Sequence, residues 1–141
     1  MELQITLVIA AAAALLNIWL AMRVGRMRTA HKISVGDGGN EQVIRRMRAH
    51  ANFTEYTPFF LILLALIELA IGSSTWLWAV AILFVLGRIS HAFGMDGIGK
   101  LRMIGTLTTL LVLLGMAIWA IVIAYSGMGF TGTELPGGIA A

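Results

Sequence analysis

The chain has 141 residues, of which 59% are hydrophobic and only 12% charged, with a mean hydropathy of +0.89; soluble domains carry about 25% charged residues, so a water-soluble globular protein is excluded. There is no cysteine, which removes disulfides, cysteine-based zinc sites and a thiol nucleophile of the protein's own, and leaves any sulfur chemistry to a ligand. In so apolar a chain a formal charge of +3 and a pI near 10 mark a basic face against membrane lipids, and no nucleic-acid partner is expected.

In chain order, the run from Ile5 to Met22 is the first span, interrupted mainly by Asn17. No basic segment precedes it, so it is expected to be a retained helix and not a cleaved signal peptide. The second apolar stretch, Phe59 to Ile71, is too short to cross alone. A helix that begins near Glu41 and projects its first turns into water is long enough, at about 45 Å. Pro58 removes one helix hydrogen bond where the polar half meets the apolar half, and a kink is expected there. Gly72 to Thr75 reads as a tight turn, and the third span runs from Trp76 to about Phe93. The fourth runs from Met103 to Tyr125, with Trp76, Trp78 and Tyr125 as interfacial anchors. The expected helices cover about 3–29, 41–72, 75–95 and 100–126 of one domain spanning 1–141, with a loose tail over 127–141.

All ten lysines and arginines fall around the first and third connections. The positive-inside rule assigns that side to the cytoplasm, with both termini facing outward.

At about 100° per residue, Arg48, Asn52 and Glu55 share one stripe of the second helix, which Arg45 and Phe59 extend. Charged and amide groups are costly against lipid, so the stripe is expected to face other helices or a water-filled cavity. Arg88, His91 and Met95 form a second polar stripe at the end of the third helix, and Arg102 follows at the entry to the fourth. Guanidinium groups for carboxylates, one carboxylate for an ammonium group and an amide that donates and accepts suit a small zwitterionic or anionic peptide.

Simpler readings apply elsewhere. Arg23, Arg26, Arg45 and Arg46 read as topology anchors at helix ends. Glu55 can equally serve as an ion-pair partner of Arg48 or Arg88, and Glu68 reads as a pairing or interfacial residue before a transport residue. His31, His50 and His91 lack the spacing of metal ligands, so no metal is expected. Gly94 to Lys100 matches the GxxxxGK phosphate-loop pattern, but Leu101 stands where Ser or Thr is required and a helix precedes it where a strand is needed.

The segments RAHANFTEYTPFF (48–60), GRISHAFGM (87–95) and KLR (100–102), on a chain of this length with four spans, resemble the MAPEG family, the membrane-associated proteins in eicosanoid and glutathione metabolism. The resemblance covers nearly the whole chain and is carried by the combination of motifs. It implies a left-handed four-helix bundle assembled as a homotrimer, with glutathione bound between subunits near the cytoplasmic side. Arg48, Asn52, Glu55 and Tyr56 match the family's second-helix binding motif, and Arg88 and His91 its third-helix positions. Arg102 matches the arginine beside the glutathione sulfur, and Arg26 or Arg28 a further basic position after the first helix. The family often transfers glutathione to a lipophilic electrophile. Met95 stands where the eicosanoid-forming branches carry a tyrosine, and Met103 where the prostaglandin E synthase branch has a serine. These departures favour a bacterial, inner-membrane glutathione transferase of the detoxifying kind, with peroxidase activity as a companion reaction. The alternatives are a trimer that binds glutathione or another anion without turnover, and a four-span multidrug exporter.

Overall fold

The computed structural model describes residues 3–127. Within them the chain forms α1 (Gln4–Ala30), α2 (Glu41–Ile71), α3 (Thr75–Gly94) and α4 (Gly99–Ser126). Each is long and apolar enough to cross a membrane, and no strand occurs among the described residues. The protein is therefore an all-α, integral multi-pass membrane protein, as the apolar runs predict. The tail expected over 127–141 lies, after Gly127, outside the described residues.

Local chemistry sets the helix ends. Asn40 starts α2, its Oδ1 accepting from the backbone N–H groups of Gln42 at 3.0 Å and Val43 at 3.1 Å. Glu41, at the positive end of the helix, pairs with Arg45 one turn later at 2.6 Å. The 31 residues of α2 make a helix of about 46 Å, longer than a hydrocarbon core of about 30 Å, so its polar first turns stand outside lipid. The helix continues through Pro58 to Ile71. Gly72 ends it at φ 80°, a conformation that costs glycine little. Ser74 then caps α3, its Oγ accepting from the Leu77 N–H at 3.4 Å.

The most extensive packing is between α3 and α4, whereas α1 lies mainly against α2 and α3. Gly105 allows the α3–α4 approach: a Cβ there would lie 2.5 Å from the Gly87 carbonyl oxygen and from the His91 nitrogen. Gly94 similarly abuts the Arg102 backbone. With lipid as solvent, small residues that bring helix backbones together supply much of the packing. The core has two parts: a large one around Phe60, Leu64, Leu77, Phe84 and Met116, and a smaller one around Ala13, Leu20, Phe53 and Ala92. Outward-facing leucines and isoleucines on all four helices suit a hydrocarbon surround.

Glu68 holds the end opposite the basic residues. It is 1% exposed, and its carboxylate accepts from the Ile5 and Thr6 N–H groups, both at 2.8 Å, and from the hydroxyls of Thr6 at 2.7 Å and Ser73 at 2.6 Å. The side chain thus caps α1 from α2, satisfying backbone donors that would otherwise lack partners. Its pairing role is with backbone amides and hydroxyls; no cation among the described residues is its partner.

Candidate functional site

A cavity of about 280 Å³ opens at the basic end of the bundle, lined by Arg48, Asn52, Glu55, His91, Met95, Arg102 and Thr106. Three helices build it. Arg48, Asn52 and Glu55 come from one face of α2; His91 and Met95 come from the end of α3 and the turn after it; Arg102 and Thr106 come from the first two turns of α4. The close α3–α4 contact at Gly94 and Gly105 sets the third wall against the second.

The charged groups around this cavity are uncommitted. Arg48, Glu55 and Arg102 form no ion pair with another described residue, so the expected alternative of a Glu55 pair with Arg48 or Arg88 is not realised. All three are exposed at the surface of the single chain, while His91 is buried at their base. Two cations and one carboxylate facing the same space favour a ligand that carries both signs of charge.

Arg88 takes a different place from the one its spacing suggests. It is 3% exposed and does not line the cavity. Its guanidinium donates to Asn52 Oδ1 at 2.7 Å and to Thr109 Oγ1 at 3.1 Å, and lies 5.9 Å from the centre of the Phe53 ring. Asn52 thereby has its carbonyl fixed by Arg88, which turns the amide N–H₂ to other partners. Arg88 acts on the cavity through Asn52.

Of the remaining candidates, Tyr56 is half-buried and outside the cavity lining. No α1 residue lines it either: Arg26 is exposed, and Arg28 is half-buried with one guanidinium nitrogen 3.5 Å from Met47 Sδ. Thr106 is a lining residue that the stripes on α2 and α3 did not reveal; its position one turn after Arg102 was the available signal.

Arg23 corrects the reading of the basic residues as anchors. It is 7% exposed; it pairs with Asp96, donates to the Ala92 carbonyl at 3.3 Å and lies 4.6 Å from the centre of the Trp19 ring. Arg46 reaches the same carboxylate at 3.3 Å and donates to the Arg23 carbonyl at 3.4 Å. Neither arginine is simply a solvated end group. His50, which no motif assigned, donates from Nε2 to Asn17 Oδ1 at 2.8 Å, satisfying the polar interruption of the first span. No group of three or more His, Asp or Glu residues suited to a metal occurs among the described residues.

The segment that resembles a phosphate loop runs from the last residue of α3 into α4. Its helix–turn–helix setting differs from the strand–loop–helix of a nucleotide site.

Comparison with known proteins places these features in one family. Residues 6–122 match the model of the MAPEG family. The chain is also 31% identical over 83 residues to the inner membrane protein YecN of Escherichia coli K12, covering 58% of this chain and 63% of that protein. The same values hold for YecN of Escherichia coli O6:H1. The chain thus spans somewhat under two thirds of the length of these curated relatives. On the family match over most of its length, with the four spans and their paired polar stripes, the chain belongs to the MAPEG family.

Proposed function

We propose that this protein is a membrane-embedded glutathione transferase that joins the glutathione thiolate to lipophilic electrophiles. The observation that carries the reading is the convergence of unpaired Arg48, Glu55 and Arg102 on one cavity with the Asn52 amide. Glu55 takes the γ-glutamyl ammonium, Arg48 a carboxylate, and Asn52, oriented by Arg88, the peptide backbone. Arg102 stands beside the sulfur. Its positive charge favours thiolate over thiol, lowering a pKa that is about 8.5 for an ordinary cysteine side chain.

In the reaction the thiolate sulfur attacks the electrophilic carbon. A carbon–sulfur bond forms, the leaving group departs with its electron pair, and the proton lost by the thiol passes to water. The electrophile dissolves in the bilayer and reaches the sulfur sideways, so proximity adds to thiolate activation.

The cavity of about 280 Å³ lies at the low end of the range of about 300–1,000 Å³ for small-molecule sites, and its charged walls face outward from the single chain. A homotrimer answers both facts. A neighbouring protomer closes the site and keeps Arg48, Glu55 and Arg102 from lipid, and its Arg26 or Arg28 supplies the further basic contact. The site then lies on the cytoplasmic side, where the positive-inside rule places the basic connections, and the setting is a bacterial inner membrane.

The exporter reading is weaker because Glu68, the carboxylate at the opposite membrane face, already accepts four hydrogen bonds. Conjugation of a chloronitrobenzene by the detergent-solubilised protein tests the transferase reading. Turnover that Arg102→Ala reduces supports it, and saturable glutathione binding without turnover of any electrophile selects the binding-only alternative.

A further inference from the structure

Asp96 lies in the turn between α3 and α4, directly after Met95, and binds Arg23 of α1 and Arg46 of α2. One carboxylate thus stands between two guanidinium groups from two other helices. Without it the buried Arg23 and the half-buried Arg46 would face each other as like charges. Arg23 has little freedom to turn away, because it also holds the Ala92 carbonyl and packs against Trp19 and Phe93.

The turn that carries Asp96 is short. It spans residues 95–98, and Arg102 begins its helical hydrogen bonding by donating to the Ile98 carbonyl at 3.2 Å. Met95 on one side of Asp96 lines the cavity, and Arg102 on the other side lines it too. Met95 is also the wall shared with a second cavity of about 360 Å³, whose far side includes Arg46 and Asp96 themselves. By contrast, Arg48, Asn52 and Glu55 stand on α2, which is one continuous helix from Glu41 to Ile71.

We propose that Arg23, Asp96 and Arg46 form an ionic clasp that positions the α3–α4 turn, and through it Met95 and Arg102, as positioning residues for thiolate formation. The proposal rests on the glutathione reading of the cavity. It separates two duties: α2 recognises the peptide, and the clasp sets the group that activates the sulfur. Loosening the clasp changes the chemical step more than peptide binding.

The experiment compares the full-length native protein with Asp96→Asn, with Arg46→Gln, which removes one arm, and with Arg45→Gln, which breaks only the exposed Glu41 pair. Hydrogen–deuterium exchange, read without glutathione, is expected to rise in the turn and first turn of α4 for Asp96→Asn and less for Arg46→Gln. Arg45→Gln is expected to leave it unchanged. With glutathione, Asp96→Asn is expected to raise the pH at which bound thiolate absorbs and to lower kcat by about 10-fold to 100-fold, as a displacement near 1 Å does, with KM for glutathione changed less than about 2-fold. Should Asp96→Asn not fold, Arg46→Gln decides by the same readings. A lowered melting temperature with unchanged turn exchange and an unchanged thiolate titration overturns the clasp as a positioning device. If the native protein binds no glutathione, the transferase reading fails, while the exchange result still decides whether the clasp holds the turn.

Discussion

Arg88 and Asn52 stand 36 residues apart in sequence and meet at 2.7 Å, guanidinium to amide oxygen, on the buried side of the candidate site. A charged donor on a neutral acceptor contributes roughly 1.5–3 kcal/mol, and its value to the site lies in orientation: the Asn52 amide cannot swing while Arg88 holds its oxygen. Arg88→Met is therefore expected to raise KM for glutathione about tenfold with a smaller effect on kcat. The double variant with Asn52→Ala should be no worse than the more damaging single variant, because both remove the same arrangement. Strictly additive losses would place Arg88 in a separate contact.

Glu55→Gln removes the only carboxylate that lines the cavity among the described residues while keeping its shape. The expected result is a rise of about tenfold or more in KM for glutathione with kcat nearly preserved, since an ammonium contact is made equally in ground and transition states. A glutathione analogue lacking the α-amino group should bind the native and Glu55→Gln proteins alike.

Arg102→Ala should shift the pH dependence of conjugation upward. A positive guanidinium favours the ionised thiol, so its removal raises the thiol pKa, and activity lost at neutral pH returns as the medium becomes alkaline. A shift of about one pH unit corresponds to about 1.4 kcal/mol of lost stabilisation. Arg102→Lys, which keeps the charge, should lie between the two. A pH profile identical in native and Arg102→Ala proteins removes Arg102 from the sulfur.

Gly105→Val tests the packing that forms the third wall. Its side chain would enter space occupied by Gly87 and His91, and overpacking of this kind costs typically 1–3 kcal/mol. Lower thermal stability in detergent should accompany weaker glutathione binding, because His91 and Arg102 lie on the two helices forced apart.

Glu68→Ala serves as the opposite case. It leaves the Ile5 and Thr6 N–H groups without their acceptor, and loss of a helix cap costs about 0.5–2 kcal/mol. The melting temperature should fall while KM for glutathione stays the same, since the carboxylate sits at the other end of the bundle. A large change in KM would show that the two ends communicate.

The four helices and the α2 stripe were legible because each is a local pattern: apolar runs of spanning length, and polar residues three and four apart on one helix face. That is why Arg48, Asn52 and Glu55 reach one cavity as their spacing predicts. Partnerships across the bundle were not legible. Glu68 with Ile5, Arg23 with Asp96 and His50 with Asn17 join positions 63, 73 and 33 residues apart, and no periodicity within one helix encodes which residue on another will face it. Arg23 looked like an end anchor because arginine at the close of a span usually is one. Its burial depends on Asp96, whose place was set by a turn that resembled a phosphate loop. Arg88 shared the right stripe with His91, but a stripe does not say how far the side chain reaches, and its guanidinium stopped at Asn52.

The most direct measurement is isothermal calorimetry of glutathione into the detergent-solubilised native protein, with Glu55→Gln beside it. Saturable binding with a Kd of about 1 mM or tighter, within the usual range of about 1 μM–1 mM for enzyme substrates, and about tenfold weaker in Glu55→Gln, is the predicted result. No saturable heat at millimolar glutathione, from native protein whose fold is intact, would contradict the assignment of this cavity to glutathione.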